Sequence, residues 1–342
     1  EDDGKDTLDE SVQPHGTVDS LSGEEIRKII SDAGIVGMGG AAFPTHVKYA
    51  LKPEQKVDYI ILNGAECEPY LTSDHRMMLE HSDKIVRGAR ALIKASGAPK
   101  AVIGIEQNKP DAIEAMRKAV EEYKDGYDIT VAELQTKYPQ GGEKQLIYAI
   151  TRREVPKGAL PIATGCIVSN VSTAAAVCDA IETGMPLVKR AVTVTGAVMN
   201  PSNLILRIGT PYQEIIDFCG GFKGEPTKII SGGPMMGIAV TNTDVPTTKG
   251  TSGITIFSAA EDKIPEESNC LRCGRCVDIC PMGLSPQQLN MAYLRGRVDL
   301  LQEYDAMSCI NCGSCTYICP AKRNLAQSIN LGKKLIAKAQ KK

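Results

Sequence analysis

The chain has 342 residues, enough for two or three domains, and 39 basic against 41 acidic residues leave a net charge of −2, which excludes a polyanion-binding surface over the whole molecule. Four Phe, eleven Tyr and no Trp argue against a platform for stacking nucleic-acid bases. No signal peptide is apparent and no run approaches the ~18 apolar residues a bilayer span needs, so the chain is expected to have no transmembrane segment of its own.

Residues 1–20 read as a solvated lead-in; they begin at Glu1 without Met, which points to a longer parent protein. Ser22-x-x-Glu25 is a capping box opening a helix through Ile26, Ile29, Ile30 and Ala33, with Gly34 as the stop. A glycine-rich loop follows at 34–42, and Pro44 suits the first turn of the next helix. The pattern then alternates: a strand over 57–62, a long helix over 74–96, a strand over 101–105, a helix over 111–124, a strand near 129–134, and helices near 143–151 and 171–183. That order predicts an α/β domain over 21–188, one sheet with helices on both faces. Past Pro186, strands at 191–198, 204–208, 228–231 and 253–257 with a helix at 211–218 predict a small α+β domain over 189–262. Residues 263–330 are helical between cysteine runs, and 331–342 read as a basic tail: seven Lys/Arg and no acid follow Cys319.

Eight of the twelve cysteines fall in two runs, Cys270-x2-Cys273-x2-Cys276-x3-Cys280-Pro281 and Cys309-x2-Cys312-x2-Cys315-x3-Cys319-Pro320. Three thiolates two residues apart wrap one corner of a cubane, and the fourth ligates the other cluster. One [4Fe–4S] cluster is therefore assigned to Cys270, Cys273, Cys276 and Cys319, and a second to Cys309, Cys312, Cys315 and Cys280. Zinc needs two Cys pairs per ion and explains neither the triple spacing nor the proline. The 28 residues between the runs, with Leu289, Ala292, Tyr293 and Leu300–Leu301, suggest intervening helices and hence a helical ferredoxin-like domain. Cys67, Cys166, Cys178 and Cys219 lack ligand spacing, and the last two read as packed small hydrophobes.

Gly37-Met-Gly39-Gly40-Ala41-Ala42-Phe43-Pro44-Thr45 nominally fits the dinucleotide fingerprint, but a capped helix stands where that fingerprint needs a strand. Two readings remain: a tight structural turn, or a loop offering N–H groups and nearby Lys48 to a phosphate. Three companions accompany it: Asn63-Gly-Ala-Glu66-Cys67-Glu68-Pro69 with two acids at a strand end, the glycine turn Tyr138-Pro-Gln-Gly141-Gly142-Glu143 into a helix, and Ser169-Asn170-Val-Ser172-Thr173 with small polar side chains at a helix start. A charged turn and helix capping are the structural alternatives for the first and last.

Through segments 37–48 and 63–71 and both cysteine runs, the sequence resembles the C subunit of the Rnf electron-transport complex. More distantly it is similar to the flavin-bearing, NADH-oxidising subunit of respiratory complex I. The resemblance covers the chain from about residue 20. It implies an α/β flavin/NADH-binding domain, a small β-grasp (SLBB-like) domain and an α-helical ferredoxin-like domain with two [4Fe–4S] clusters. It implies FMN contacts from Gly37, Gly39, Gly40, Lys48, Asn63, Glu66, Tyr138, Gly141, Asn170, Ser172 and Thr173, and NADH contacts from Phe43, Lys48, Glu68 and Glu143. Relative to complex I, Ala42 replaces a Gly, Ala65 an Asp and Gly142 a Glu. Family members also tend to carry an N-terminal domain resembling a biotinyl/lipoyl carrier.

The implied function is that of the NADH/NAD⁺-reacting subunit of a ferredoxin:NAD⁺ oxidoreductase, an enzyme passing electrons between NADH, FMN and two clusters and coupled to Na⁺ or H⁺ translocation. Hydride transfer by cofactors needs no acid–base side chain; none is assigned. Expected partners are an iron–sulfur subunit and membrane subunits, with no nucleic acid, on the cytoplasmic inner face of the cell membrane. The alternatives are a cobalamin (corrin) reductase with the same cofactors and a flavin-less iron–sulfur relay.

Overall fold

The computed structural model describes residues 7–262 and 265–340. Helix α1 (Gly23–Asp32) opens on the expected capping box, in which Ser22 accepts from the Glu25 amide and Glu25 reaches back to the Ser22 amide. The glycine-rich loop leads into the short α2 (Thr45–Tyr49). There follow β1 (Tyr59–Asn63), α3 (Ser73–Glu80), α4 (Ser82–Ser96), β2 (Lys100–Glu106), α5 (Pro110–Tyr123), β3 (Asp128–Leu134), α6 (Glu143–Thr151), β4 (Cys166–Asn170) and α7 (Val171–Thr183). The single helix expected over 74–96 is two helices broken at His81, and β4 is a strand that the sequence pattern did not mark.

These strands form a parallel sheet in the order β3-β2-β1-β4. β1 alternates in its packing: Ile60 and Leu62 join the larger core with α1, α4, α5 and α7, while Ile61 packs with Leu146 and Ile147 of α6. Both faces are thus covered, as a parallel sheet requires. The chain winds one way from β1 through β2 to β3 and returns to β4 on the other flank, so a switch point lies between β1 and β4. Asn63 and Asn170, the last residues of these two strands, stand opposite each other in register. Ligands of open α/β sheets bind in the crevice outside such strand ends.

Part of the presumed lead-in is packed rather than solvated. Val18 is buried, Asp19 pairs with Arg90, and the His15 amide bonds the Ile181 carbonyl. An apolar side chain on the core and an acid beside a buried guanidinium pin this stretch to α4; residues 1–6 lie outside the described residues.

A second, five-stranded sheet runs β6-β5-β9-β7-β8, built from β5 (Lys189–Gly196), β6 (Ser202–Arg207), β7 (Pro226–Ser231), β8 (Ile238–Val240) and β9 (Gly253–Ser258). Only the β5–β9 pair is parallel. Helix α8 (Tyr212–Phe218) packs Tyr212, Ile215 and Ile216 against Val192, Val194, Ile254 and Ile256. Short helices α9 (Arg275–Asp278), α10 (Pro286–Leu294), α11 (Val298–Glu303) and α12 (Ser314–Ile318) follow, then the longer α13 (Leu325–Gln340). The stretch from 331, expected as a basic tail, continues α13: Ile336 is fully buried against Leu289 and Leu301, and Lys333 Nζ donates to the Cys309 carbonyl at 2.8 Å. One apolar face holds the helix down while the lysines occupy its other sides.

Candidate functional site: a mononucleotide crevice beside two thiol sets

The glycine-rich loop is closed by the Gly37 amide donating to the Phe43 carbonyl at 2.8 Å, and is moored to α7 by the Met38 amide donating to Thr173 Oγ1 at 3.0 Å. Gly40 lies at φ +118°, a conformation suited to glycine, with open space beside it. Among the described residues the amides of Gly39, Gly40 and Ala41 meet no protein acceptor. A loop with several free N–H donors at the switch point fits a phosphate group. Arg190, buried on β5, donates to the carbonyls of Met38 and Lys249. Burial lowers its guanidinium to about 10, against the pull of the Asp74 carboxylate.

Across the crevice, Asn63 Nδ2 donates to the Gly141 carbonyl at 2.9 Å, and its Oδ1 accepts from the Ala65 amide. A Cβ on Gly141 would stand 2.3 Å from the Ala65 carbonyl oxygen, so only glycine lets these segments meet. Lys48 donates to the Val168 carbonyl at 3.0 Å and faces Glu143 at 3.5 Å. Phe43 lies exposed at the rim, 45% accessible.

Asn170 and Ser172, expected as direct cofactor contacts, are tied to a residue the sequence did not single out. Asn170 Nδ2 and Ser172 Oγ donate to the two oxygens of Asp74, at 2.6 and 2.7 Å. Asp74 sits in the first turn of α3 and shares its surroundings with Glu66. Glu66 Oε1 accepts from the Asp74 amide at 3.0 Å and Oε2 from the His75 amide at 3.1 Å, so Glu66 caps a helix whose own N-cap, Thr72, makes no cap bond. Lys109 Nζ donates to the Glu66 carbonyl oxygen at 3.0 Å. Burial first, and then the neighbouring Asp74 charge, push the Glu66 carboxyl up to about 7, and burial raises Asp74 as well.

Glu68, expected at the nicotinamide, commits its Oε1 to the amides of Met235 and Met236 at 2.7 and 3.1 Å. Tyr138 donates to the Cys312 carbonyl at 2.6 Å; burial and then the adjacent Glu68 carboxylate raise its hydroxyl well above the ordinary tyrosine value. Cys67 receives the Gly141 amide at 3.3 Å, and burial pushes its thiol up to about 11, which makes it a packing group rather than a nucleophile.

Cys280, Cys309, Cys312 and Cys315 line one cavity, walled by Met282, Leu284, Ile310 and Ile329. Burial is the main cause raising the Cys315 thiol, to about 12, followed by the neighbouring Cys309 and Cys312; Cys280 also raises it. Cys276 in turn feels Cys319 and Cys270 after burial. Cys280 of the first run thus stands with three cysteines of the second, and Cys319 of the second near Cys276 and Cys270 of the first. Four thiols facing one apolar-walled cavity fit an iron–sulfur centre, which thiolates ligate. The sets differ in access: Cys270 and Cys273 are exposed, as is Leu271 between them, whereas Cys312 and Cys315 are buried.

A mononucleotide crevice in an α/β domain, a β-grasp-like sheet and a helical domain with two four-thiol sets define a flavin and iron–sulfur electron-transfer protein. Consistent with this, the chain matches the Nuo51 FMN-binding domain over residues 30–179, the SLBB domain over 191–239 and the 4Fe-4S dicluster domain over 269–323. It is 51% identical over 345 aligned positions to the C subunit of the Na(+)-translocating ferredoxin:NAD(+) oxidoreductase complex of Acetobacterium woodii, covering 100% of this chain and 77% of that one. It is 53% identical over 334 positions to the proton-translocating counterpart of Clostridium ljungdahlii, covering 96% and 72%. A chain of an NAD+-reducing [NiFe]-hydrogenase solved in the H2-reduced state shares the fold, with a TM-score of 0.64 at 18% identity; this chain spans 65% of its length and the match covers 95% of this one. The chain belongs to the family of Rnf C subunits, from ion-translocating oxidoreductase complexes. It is an oxidoreductase component with FMN and [4Fe–4S] domains, which favours that reading over the corrin reductase and the flavin-less relay.

Proposed function

We propose that this chain exchanges electrons between NADH/NAD⁺ at the β1/β4 crevice and a partner iron–sulfur protein of the complex, beyond the exposed Cys270 and Cys273. The observation that carries the reading is that the crevice and the inner thiol set are joined directly: Tyr138, in the turn that Asn63 holds, donates to the carbonyl of Cys312. FMN, when bound, supplies the conversion between the two-electron hydride of NADH and the single electrons that clusters accept. The free amides of Gly39 and Gly40, with Lys48 one helical turn on, suit its phosphate. Asn63, Gly141, Asn170, Ser172 and Thr173 build the floor against which the ring system and ribityl chain would lie, with Asp74 and Glu66 behind them. Phe43, Lys48 and Glu143 form the rim from which a dinucleotide approaches.

Cys280, Cys309, Cys312 and Cys315 would hold the cluster next to the crevice; Cys270, Cys273, Cys276 and Cys319 would hold the outer one. The full activity is that of a ferredoxin:NAD⁺ oxidoreductase in which membrane subunits couple this electron transfer to Na⁺ or H⁺ movement, with this chain docked on the inner face of the membrane. Among the described residues no helix is long and apolar enough to cross it. Anaerobic protein is expected to release about eight irons and one FMN per chain and to bleach its cluster absorbance on addition of NADH. Bleaching by dithionite but never by NADH would sink the proposal.

A further inference from the structure

The β7–β8 hairpin ends in the loop Gly232-Gly233-Pro234-Met235-Met236-Gly237. This loop belongs to the β-grasp-like sheet, yet it touches both neighbours. On one side Glu68 Oε1 receives its Met235 and Met236 amides at 2.7 and 3.1 Å. The approach is tight: a Cβ on Gly233 would lie 2.3 Å from Glu68 Cγ. On the other side the Met235 carbonyl presses on Gly313, where a Cβ would come within 2.9 Å of it, and Gly313 is flanked by Cys312 and Ser314. Tyr138 closes the same gap from above, with its hydroxyl beside Glu68 and its proton on the Cys312 carbonyl.

We propose that Glu68 is a positioning residue: it clamps the β7–β8 hairpin as a spacer between the crevice loop 63–71 and the Cys312–Ser314 turn, and so fixes the distance across which electrons pass to the inner thiol set. The inference rests on the electron path proposed above. Its chemistry is that of an acceptor rather than of a charge. Both hairpin amides converge on one oxygen, and the side-chain carbonyl of a glutamine offers the same oxygen. A carboxylate acting on the nucleotide through its charge or by moving a proton would not be replaced in this way.

The test uses the anaerobic holoprotein with Glu68→Ala, Glu68→Gln and Gly233→Ala. Hydrogen exchange of the amides in 232–237 and 311–315 is measured alongside NADH-driven cluster bleaching. A misplacement of even an ångström is costly for a reaction set by geometry, so E68A and G233A are expected to slow bleaching roughly tenfold or more. Both should speed exchange in the two segments together, while E68Q keeps the wild-type values of both. If E68Q is as slow as E68A, or if exchange rises only in the hairpin and bleaching keeps its rate, the clamp is wrong. Wild-type protein that NADH never bleaches would instead overturn the electron path, and the exchange data would still decide the clamp: coupled loosening restored by E68Q supports it, and its absence refutes it.

Discussion

Replacing Glu66 with Gln should remove the fall in stability with rising pH that this buried carboxyl imposes. In the native chain Glu66 holds its proton up to about pH 7, chiefly because it is buried and then because Asp74 lies beside it, while the Asp74 and His75 amides and Lys109 partly offset this. The unfolded chain releases that proton near the ordinary value of 4.5. Between these limits the native state binds more protons than the unfolded one, so stability falls as pH rises through the window and the loss is complete above it. A rise of about 2.5 pK units corresponds to roughly 3 kcal/mol. Glutamine cannot ionise, and it keeps one of the two cap bonds to α3 at a cost of about 1 kcal/mol. The variant should therefore be the less stable protein at pH 5 and the more stable one at pH 8, with the difference swinging by about 3 kcal/mol. Denaturant melts of both proteins, followed anaerobically by circular dichroism at pH 5, 6, 7 and 8, measure it. Parallel curves would refute the reasoning, because they would mean that Glu66 is ionised throughout.

Asp74→Ala removes the acceptor for Asn170 and Ser172; losing both bonds should weaken FMN retention by roughly tenfold or more, read as flavin lost on gel filtration. Arg190→Met leaves the Met38 and Lys249 carbonyls without their donor and Asp74 without its opposing charge, and should cost about 3 kcal/mol in a denaturant melt. Cys280→Ser is expected to lower iron from about eight to about four per chain and to remove the signal of the cluster held by Cys309, Cys312 and Cys315, while Cys178→Ser, fully buried in α7, leaves iron unchanged. Ala42 sits at φ +49°, where an L residue is strained by about 1 kcal/mol, so Ala42→Gly should raise the melting temperature by about 1 °C.

What the sequence revealed was chemistry that needs local spacing. Cluster ligands two residues apart, a capping box three residues apart and free amides in a glycine run are all set within one turn of chain, and they can be read without knowing the fold. The missed elements lacked such a signal. β4 is buried along its whole length, so it shows no alternation, and the break at His81 carries neither Gly nor Pro to mark it. The end of the last helix looked like a solvated tail because five lysines and no acid fall within 331–342, which masks the apolar side chains that hold it, Ile336 among them.

The residues whose partners the sequence did not show share one property, which is that those partners are remote. Asn170 and Ser172 lie 96 and 98 positions from Asp74, and Glu68 lies 167 from Met235. In the sequence, only the family resemblance gives such a group a ligand, and the local alternatives are a charged turn or a helix cap. The fold supplies the competitor. A carboxylate oxygen that already accepts two amides, or an amide side chain that already caps α7 and donates to Asp74, also fixes a remote segment of the chain. Those side chains also act through what they hold in place. Among the described residues the backbone amides of Gly39, Gly40 and Ala41 have no protein acceptor, and there the local pattern and the tertiary structure point to the same atoms.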